Sequence, residues 1–468
     1  MLKWAKEQLA SAGTAVMGCL EQKLRDGLRE DGRRCLEELL NDPAVQVPDD
    51  QTRPGEHCHA RRLNTVESLF GPLALRRNYY TGRDPSGGRA PLDQSLGVVE
   101  GCTPGLARLL CRAGALEPFE DASQSLREYG AIDIEGRRIQ RLIQKLGPEF
   151  GRWNQSQPAP QALPKGTVFY VEADGTGVPV RRQETLGRQG KGEDGQAKTR
   201  EIKVGVVFTQ APPEEQPPVL QGRPGPAKIL PLVRPDQPQP ATPPPPPERE
   251  PTRPGRVAGS TRYLTSPDPA PEFGHQLRDL ARQQGMALAA LVVFLGDGAA
   301  WVWELARVCF PFALLILDFF HAAEHVGLLT EILFGKDTPE AKQHREMWVH
   351  LLKNQEQGVD QVILLARQAM PQRGKVRRQA QKALAYFENN RDKMRYWEYQ
   401  ARGLFIGSGV VEAGCKSVVG QRLKQSGMFW NLSGAENILN IRCVLENDHF
   451  NQFWNKRFPG PEALKAAA

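Results

Sequence analysis

Gly166–Asp174, GTVFYVEAD, is a run of β-branched and aromatic residues closed by the Asp174-Gly175 pair, and it reads as a strand. Downstream of it, a basic, glycine-rich excursion (RRQETLGRQGKGEDGQAKTREIK) leads into a second strand, VGVVFT. The segment Ala211–Gly255 is dominated by proline, including the run Pro243–Pro247. It can pack as neither strand nor helix, and an extended insertion over 211–259 is expected. TRYLT follows as a short third strand, Pro271–Gly285 as a helix, ALVVFLGDG as a buried fourth strand, AAWVWELARV as a helix and FALLILDFF as a fifth strand. Strands and helices alternating in this way indicate an α/β fold built on one sheet. From Glu324 to Arg402 the pattern is wholly helical and charged, which predicts a helical insertion over 324–402. The sheet domain then comprises 165–323 and 403–428. A mainly helical region precedes it (1–160) and a helical tail follows (429–468).

The chain has 468 residues and a formal net charge of +7, enough material for a sizeable core and a mild basic excess that suits a polyanionic partner. Its eight cysteines are scattered without paired spacing, so reduced thiols and a cytoplasmic setting are expected rather than a disulfide framework. The opening MLKWAKEQLASAG lacks an apolar core with a cleavage site, so no signal peptide is read. The most apolar run, Val308–Phe320, is too short to span a membrane.

Residues 1–45 read as one or two amphipathic helices. The cluster His57–Arg62, HCHARR, could be half of a zinc site, but NYYTGRDPSGG supplies no second Cys or His pair, and a solvated loop is expected instead. Residues 119–147 read as a helix to about Tyr129, a turn over Gly130–Asp133 and a second helix. Ile139, Leu142 and Ile143 form the apolar stripe of that second helix, and Arg137, Arg138, Arg141 and Lys145 give it a basic face. This is a possible helix-turn-helix that could enter a major groove, although a basic face is more often merely solvated.

Asp174 and Asp297 each end an apolar strand and precede a glycine. Singly, they read as a hairpin turn signal and a helix N-cap. A third acid, Glu412, lies in GLFIGSGVVEAGCKSVVGQRLKQSG (Gly403–Gly427), on a helix whose apolar face carries Val411, Cys415 and Val418. Its bland role is a surface pair with Lys416. If the first and fourth strands are neighbours, the three carboxylates converge at one sheet edge. Such acids repel unless cations neutralise them, and oxygen ligands favour Mg²⁺ or Mn²⁺. Two ions there would activate a water or a 3′-hydroxyl for phosphoryl transfer.

The stretches VEADGTGVPV, GRQGKGEDGQAKTREIKVGVVFTQ, VVFLGDGAAWVWELA, ILDFFHAAEH and GSGVVEAGCKSVVGQRLKQSGMFW, in this order, resemble the ISKra-type bacterial insertion-sequence transposases of the Asp-Asp-Glu class. The resemblance covers roughly Phe70 to the C-terminus. It implies a ribonuclease H-like catalytic domain with a helical insertion, catalytic and metal-binding roles for Asp174, Asp297 and Glu412, and an Asp-x-x-His after the fifth strand at Asp318 and His321, with His321 serving the site. It also implies DNA as partner (the element's terminal inverted repeats and target DNA), a homo-oligomer on that DNA and a place at the nucleoid. DNA contacts are expected from Arg137, Arg138, Arg141, Lys145, Lys191, Lys198, Arg200, Lys416, Arg422 and Lys424. Two departures from the family stand out: the upstream cysteine pairs are missing around Cys58 and Thr81, and the proline-rich tract lengthens the loop between the second and third strands. Two other readings exist. One is a catalytically silent DNA-binding descendant. The other is an inverted zinc-peptidase motif at His321, Glu324 and His325, which leaves Asp174 and Asp297 unexplained.

Overall fold

A computed structural model of the chain describes residues 16–45, 52–82, 88–190, 197–211 and 255–458. Lys191 and nearly all of the proline-rich insertion (212–254) lie outside the described residues, as does the first third of the 1–45 helical prediction.

The sequence-predicted strands assemble into one five-stranded sheet. Its members are β3 (Val168–Pro179), β4 (Thr199–Gln210), β5 (Arg262–Ser266), β6 (Leu291–Gly296) and β7 (Leu314–Leu317), in the order β5-β4-β3-β6-β7. β4 runs antiparallel to β3 and β5, while β6 and β7 run parallel to β3. Residues Val168–Ala173 are all buried because β3 is central and covered on both faces. The period-two alternation divides them: Val168 and Tyr170 face one core, Phe169, Val171 and Ala173 the other. β4 divides in the same way, with Ile202, Val204, Val206 and Phe208 on the first side and Val207 on the second. At Gly205, on the second side, a Cβ would sit 2.6 Å from Leu277 Cδ1, so only glycine lets the covering helix approach this closely.

The N-terminal region contains helix α1 (Val16–Asn41), strands β1 (His57–Ser68) and β2 (Gly71–Thr81), and helices α2 (Pro91–Ser95), α3 (Pro104–Leu116), α4 (Phe119–Gly130) and α5 (Gly136–Asn154). The expected loop at His57–Arg62 is instead the start of β1, paired antiparallel with β2. Its outer half is exposed on both faces, so no apolar alternation marks it as a strand. Two helices cover the second face of the large sheet: α6 (Ala270–Gln283) and α7 (Ala300–Cys309).

The helical insertion comprises α8 (Phe319–Phe334), α9 (Pro339–Asn354), α10 (Gly358–Ala369), α11 (Lys375–Asn390) and α12 (Tyr396–Ala401). The chain then returns through α13 (Gly409–Gly414), a π-helical turn (Cys415–Gly420), α14 (Leu432–Glu446) and α15 (Phe450–Arg457).

The expected boundaries near 160 and 429 cut through a single core. Leu106, Ile139, Phe150, Ile438 and Phe453 are buried in the same cluster as the first face of the sheet. The apolar stripe of α5 therefore packs on α14, with Gly147 and Gly151 against Asn437 and Asn440. The basic side of α5 remains outside: Arg137, Arg141 and Lys145 are exposed. Among the described residues, no helix is long and apolar enough to cross a membrane, and all eight cysteines are free thiols.

Candidate active site

Because β3, β6 and β7 are parallel, their C-terminal ends share one edge, where α/β sheets commonly bind ligands. β6 delivers Asp297 just beyond Gly296, and β7 delivers Asp318 just beyond Leu317. Asp174 lies inside β3, opposite Val204 of β4 and two residues past the last β3–β6 pair. The strand runs on to Pro179, so Asp174-Gly175 is not a hairpin turn. Glu172 and Asp174 have the same parity as Val168 and Tyr170, so both point toward the face where α13 packs.

The segment before Glu412 is fixed at several points. Gln210 Nε2 donates to the Gly403 carbonyl (2.8 Å), and Phe405 N–H donates to the Tyr170 hydroxyl (3.1 Å). Phe319 N–H donates to the Ile406 carbonyl at 2.8 Å. Asp318 is the hub. Its Oδ1 accepts from the backbone N–H of His321 (2.7 Å) and lies 3.2 Å from His321 Nδ1, while Oδ2 accepts from Ser408 N–H (2.5 Å) and Ser408 Oγ (2.8 Å). Asp318 is therefore both the N-cap of α8 and the anchor of the turn that starts α13. The Ser408 hydroxyl also lies 3.3 Å from Glu412 Oε1, in donating geometry. The bland pairing of Glu412 with Lys416 is not formed among the described residues.

Glu172 completes the support. It is fully buried, and its Oε2 accepts from Val411 N–H at 2.7 Å, satisfying a first-turn donor of the helix that carries Glu412. Its Oε1 is buried without a partner among the described residues. Burial pushes the Glu172 carboxyl up to about 8, aided by the charges of Asp318 and Glu412 and opposed by the Val411 N–H.

Asp174 is half-buried. Its Oδ1 accepts from Gly175 N–H (2.6 Å) and its Oδ2 from Cys415 Sγ (3.3 Å). Burial raises its pKa from the ordinary aspartate value, and the neighbouring charge of Asp297 adds to the rise, against the hydrogen bonds from Gly175 and Cys415. Asp297 is half-buried, with Oδ1 accepting from Ala299 N–H at 2.9 Å. For His321, burial opposes protonation, but the charge and hydrogen bond of Asp318, with help from Asp297 and Glu324, raise its pKa on balance.

Ligand-capable atoms of Asp318, His321 and Glu412 lie within 4.8 Å of one another. The Asp318 oxygens are already committed to four donors, so Asp318 orients this group while Glu412 and His321 face outward from it. Among the described residues Asp174 and Asp297 join no group this close, although the charge of Asp297 reaches Asp174; oxygen donors of this kind suit a hard divalent cation. The inverted zinc-peptidase arrangement does not assemble. His325 stacks on Tyr386 with ring centroids 3.6 Å apart, and among the described residues it joins no group of three potential ligands.

The expected DNA contacts fare unevenly. Arg137, Arg141, Lys145, Lys198, Lys416 and Lys424 are exposed, with Lys424 donating to Thr176 on β3. Arg138 is half-buried and bound to Glu67 and the Gly101 carbonyl, and Arg200 is half-buried and bound to the Glu184 carbonyl. Arg422 is a correction. It is completely buried, donates to the Gly114 carbonyl at 3.0 Å and lies between the rings of Phe119 and Trp430, at 5.0 and 5.1 Å. Burial lowers its pKa to about 10, and it has no route to a phosphate.

Glu172 and Ser408 were missed by sequence reasoning. The only available signal for Glu172 was a charged residue on the inward face of a buried strand, two positions before Asp174. No protein-family profile matches the chain, and no curated protein does. Among solved structures, one chain of the Drosophila P element transposase strand transfer complex aligns at a TM-score of 0.33 with 9% identity, over 74% of this chain and 92% of that chain.

Proposed function

We propose that this protein is a DNA transposase of the ISKra-type insertion-sequence group, cutting and joining DNA strands at the ends of its own element by Asp-Asp-Glu phosphoryl transfer. The observation that supports the reading is that Asp174 and Asp297 come from neighbouring parallel strands, with the charge of Asp297 felt at Asp174, while Glu412 lies on a helix anchored to that sheet through Glu172, Asp318 and Ser408. The sheet order, with β4 antiparallel and β6 and β7 parallel to β3, supports a ribonuclease H-like catalytic domain interrupted by the α8–α12 insertion.

Asp174, Asp297 and Glu412 would hold two Mg²⁺ or Mn²⁺ ions. When bound, such ions activate the attacking oxygen and stabilise the leaving one. The chain's own residues do the positioning. Glu172 and Asp318 fix the Glu412 helix against β3 and β7, and His321, oriented through Nδ1, offers Nε2 to a phosphate oxygen or a carboxylate. The exposed cations of α5 would contact the DNA backbone. The reading places the protein in the cytoplasm at the nucleoid, assembled as a homo-oligomer on its terminal repeats. The test uses a supercoiled plasmid bearing the gene with its flanking DNA. Mg²⁺- or Mn²⁺-dependent nicking at inverted repeats beside the gene is expected, and a purified, folded protein that binds no DNA and nicks none would overturn the proposal.

A further inference from the structure

Two groups stand out among the cations of the helical insertion. Arg367, Arg391, Arg395 and Arg402 are matched to Glu388, Asp360 and Glu398. Arg373, Lys375, Arg378 and Lys382 are exposed and, among the described residues, have no acidic partner. Arg373, Lys375 and Arg378 lie at the start of α11, whose first turn contains no acid, so their charges oppose the positive end of the helix dipole, and Lys382 follows one turn on. A cluster that disfavours its own helix terminus is one that a bound polyanion would relieve.

The helix gives the cluster a direction. Lys375, Arg378, Lys382 and Tyr386 lie at successive steps of three, four and four residues, so they form one stripe, while Ala380, Leu384 and Phe387 face the core. The stripe ends at the site. Tyr386 packs against Gly298, the residue after Asp297, where an added Cβ would meet its ring and hydroxyl at 3.2 Å, and its ring stacks on His325. The Tyr386 hydroxyl is buried and has no hydrogen-bond partner among the described residues. Eleven residues of helix span about 16 Å, about five phosphate steps of a DNA strand. At its inner end the stripe meets the charges of Asp297, Asp318 and Glu324 at Tyr386, and Glu388 on α11 is already matched to Arg367.

We infer that the α11 face from Arg373 to Lys382 is a track for a DNA backbone entering the active site, running toward the point where Tyr386 packs on Gly298 beside Asp297. The inference rests on the proposed phosphoryl-transfer reading and adds the insertion as a substrate-binding surface. It is tested with the full chain carrying Arg373→Gln, Lys375→Gln, Arg378→Gln and Lys382→Gln, and separately with Tyr386→Phe. Two probes are used: a labelled random-sequence duplex titrated across salt concentrations, and Mn²⁺-dependent nicking of supercoiled plasmid. The fourfold variant should melt like the wild type, bind the duplex about tenfold or more weakly, and lose about three units of the log K versus log salt slope. Tyr386→Phe, which removes only a buried hydroxyl, should keep the wild-type slope and nicking rate. Wild-type binding and nicking with an unchanged slope in the fourfold variant would overturn the track and leave the transposase reading standing. A wild-type protein that neither binds nor nicks would overturn both proposals.

Discussion

Glu172→Gln isolates one buried proton. The wild-type carboxyl is fully buried and titrates at about 8 instead of its ordinary 4.5. In the unfolded chain the group loses its proton above about pH 4.5, whereas the folded protein keeps it until about pH 8. Its contribution is therefore intact below the unfolded value and is lost as pH rises through the folded one. At about 1.4 kcal/mol per pH unit, the loss reaches about 3 kcal/mol by pH 7. Glutamine keeps a carbonyl that can accept from Val411 N–H and cannot ionise. Its amide brings an unmatched donor, but that cost is the same at every pH, so the diagnostic is the slope. Urea unfolding in EDTA from pH 5 to pH 8.5 should show wild-type stability falling more steeply than that of Glu172→Gln, with the two curves separating by about 3 kcal/mol between pH 5 and pH 7. Parallel curves would refute the buried-proton argument.

Other consequences follow from the same contacts. Ser408→Ala removes the hydroxyl shared by Asp318 and Glu412. It should cost about 1–2 kcal/mol of stability and raise the Mn²⁺ concentration needed for half-maximal nicking, and an unchanged metal dependence would separate Ser408 from the site. Arg422→Ala should destabilise by about 2–4 kcal/mol, through lost packing and an orphaned Gly114 carbonyl, while leaving the salt slope of DNA binding unchanged. Replacing Arg137, Arg141 and Lys145 should lower that slope with little change in melting, and the reverse pattern would invert their assignments. His321 should titrate above its ordinary 6.5 in an NMR pH series and His325 below it, from burial and the charge of His321. His321→Ala should impair strand transfer and His325→Ala should leave it near normal. About one equivalent of tightly bound Zn²⁺ lost in both variants would favour the peptidase motif instead.

The sheet was legible because its central strands are continuous apolar runs, and each predicted strand has its counterpart from β3 to β7. Asp297 was legible as the acid that ends such a run, whereas Asp174, read the same way, lies inside β3, and Asp318 was marked only by the family resemblance. What a linear pattern conceals is depth and partnership. Arg422 reads like any surface cation on a helix, and only the rings of Phe119, far away in sequence, and of nearby Trp430 make it a core residue. The apolar stripe of α5 announces that something covers it but not that the cover is α14, nearly three hundred residues later, so the helices flanking the sheet read as separate domains. The β1–β2 ribbon escaped because both faces of its outer half meet water, which removes the alternation that reveals a half-buried strand. Even where the Glu412 helix was correctly anticipated, its π-turn at Cys415–Gly420 was not, since that turn reflects packing against β3 rather than local propensity.

The central claim is that Asp174, Asp297 and Glu412 act together. Its most direct test is single-turnover strand cleavage by Asp174→Asn, Asp297→Asn and Glu412→Gln, with DNA affinity measured on the same preparations. Each variant should lose at least about a hundredfold in cleavage rate, because isosteric neutral groups cannot balance the charge of the ions, and each should bind DNA as the wild type does. A wild-type cleavage rate in any one of the three would contradict the account at that residue.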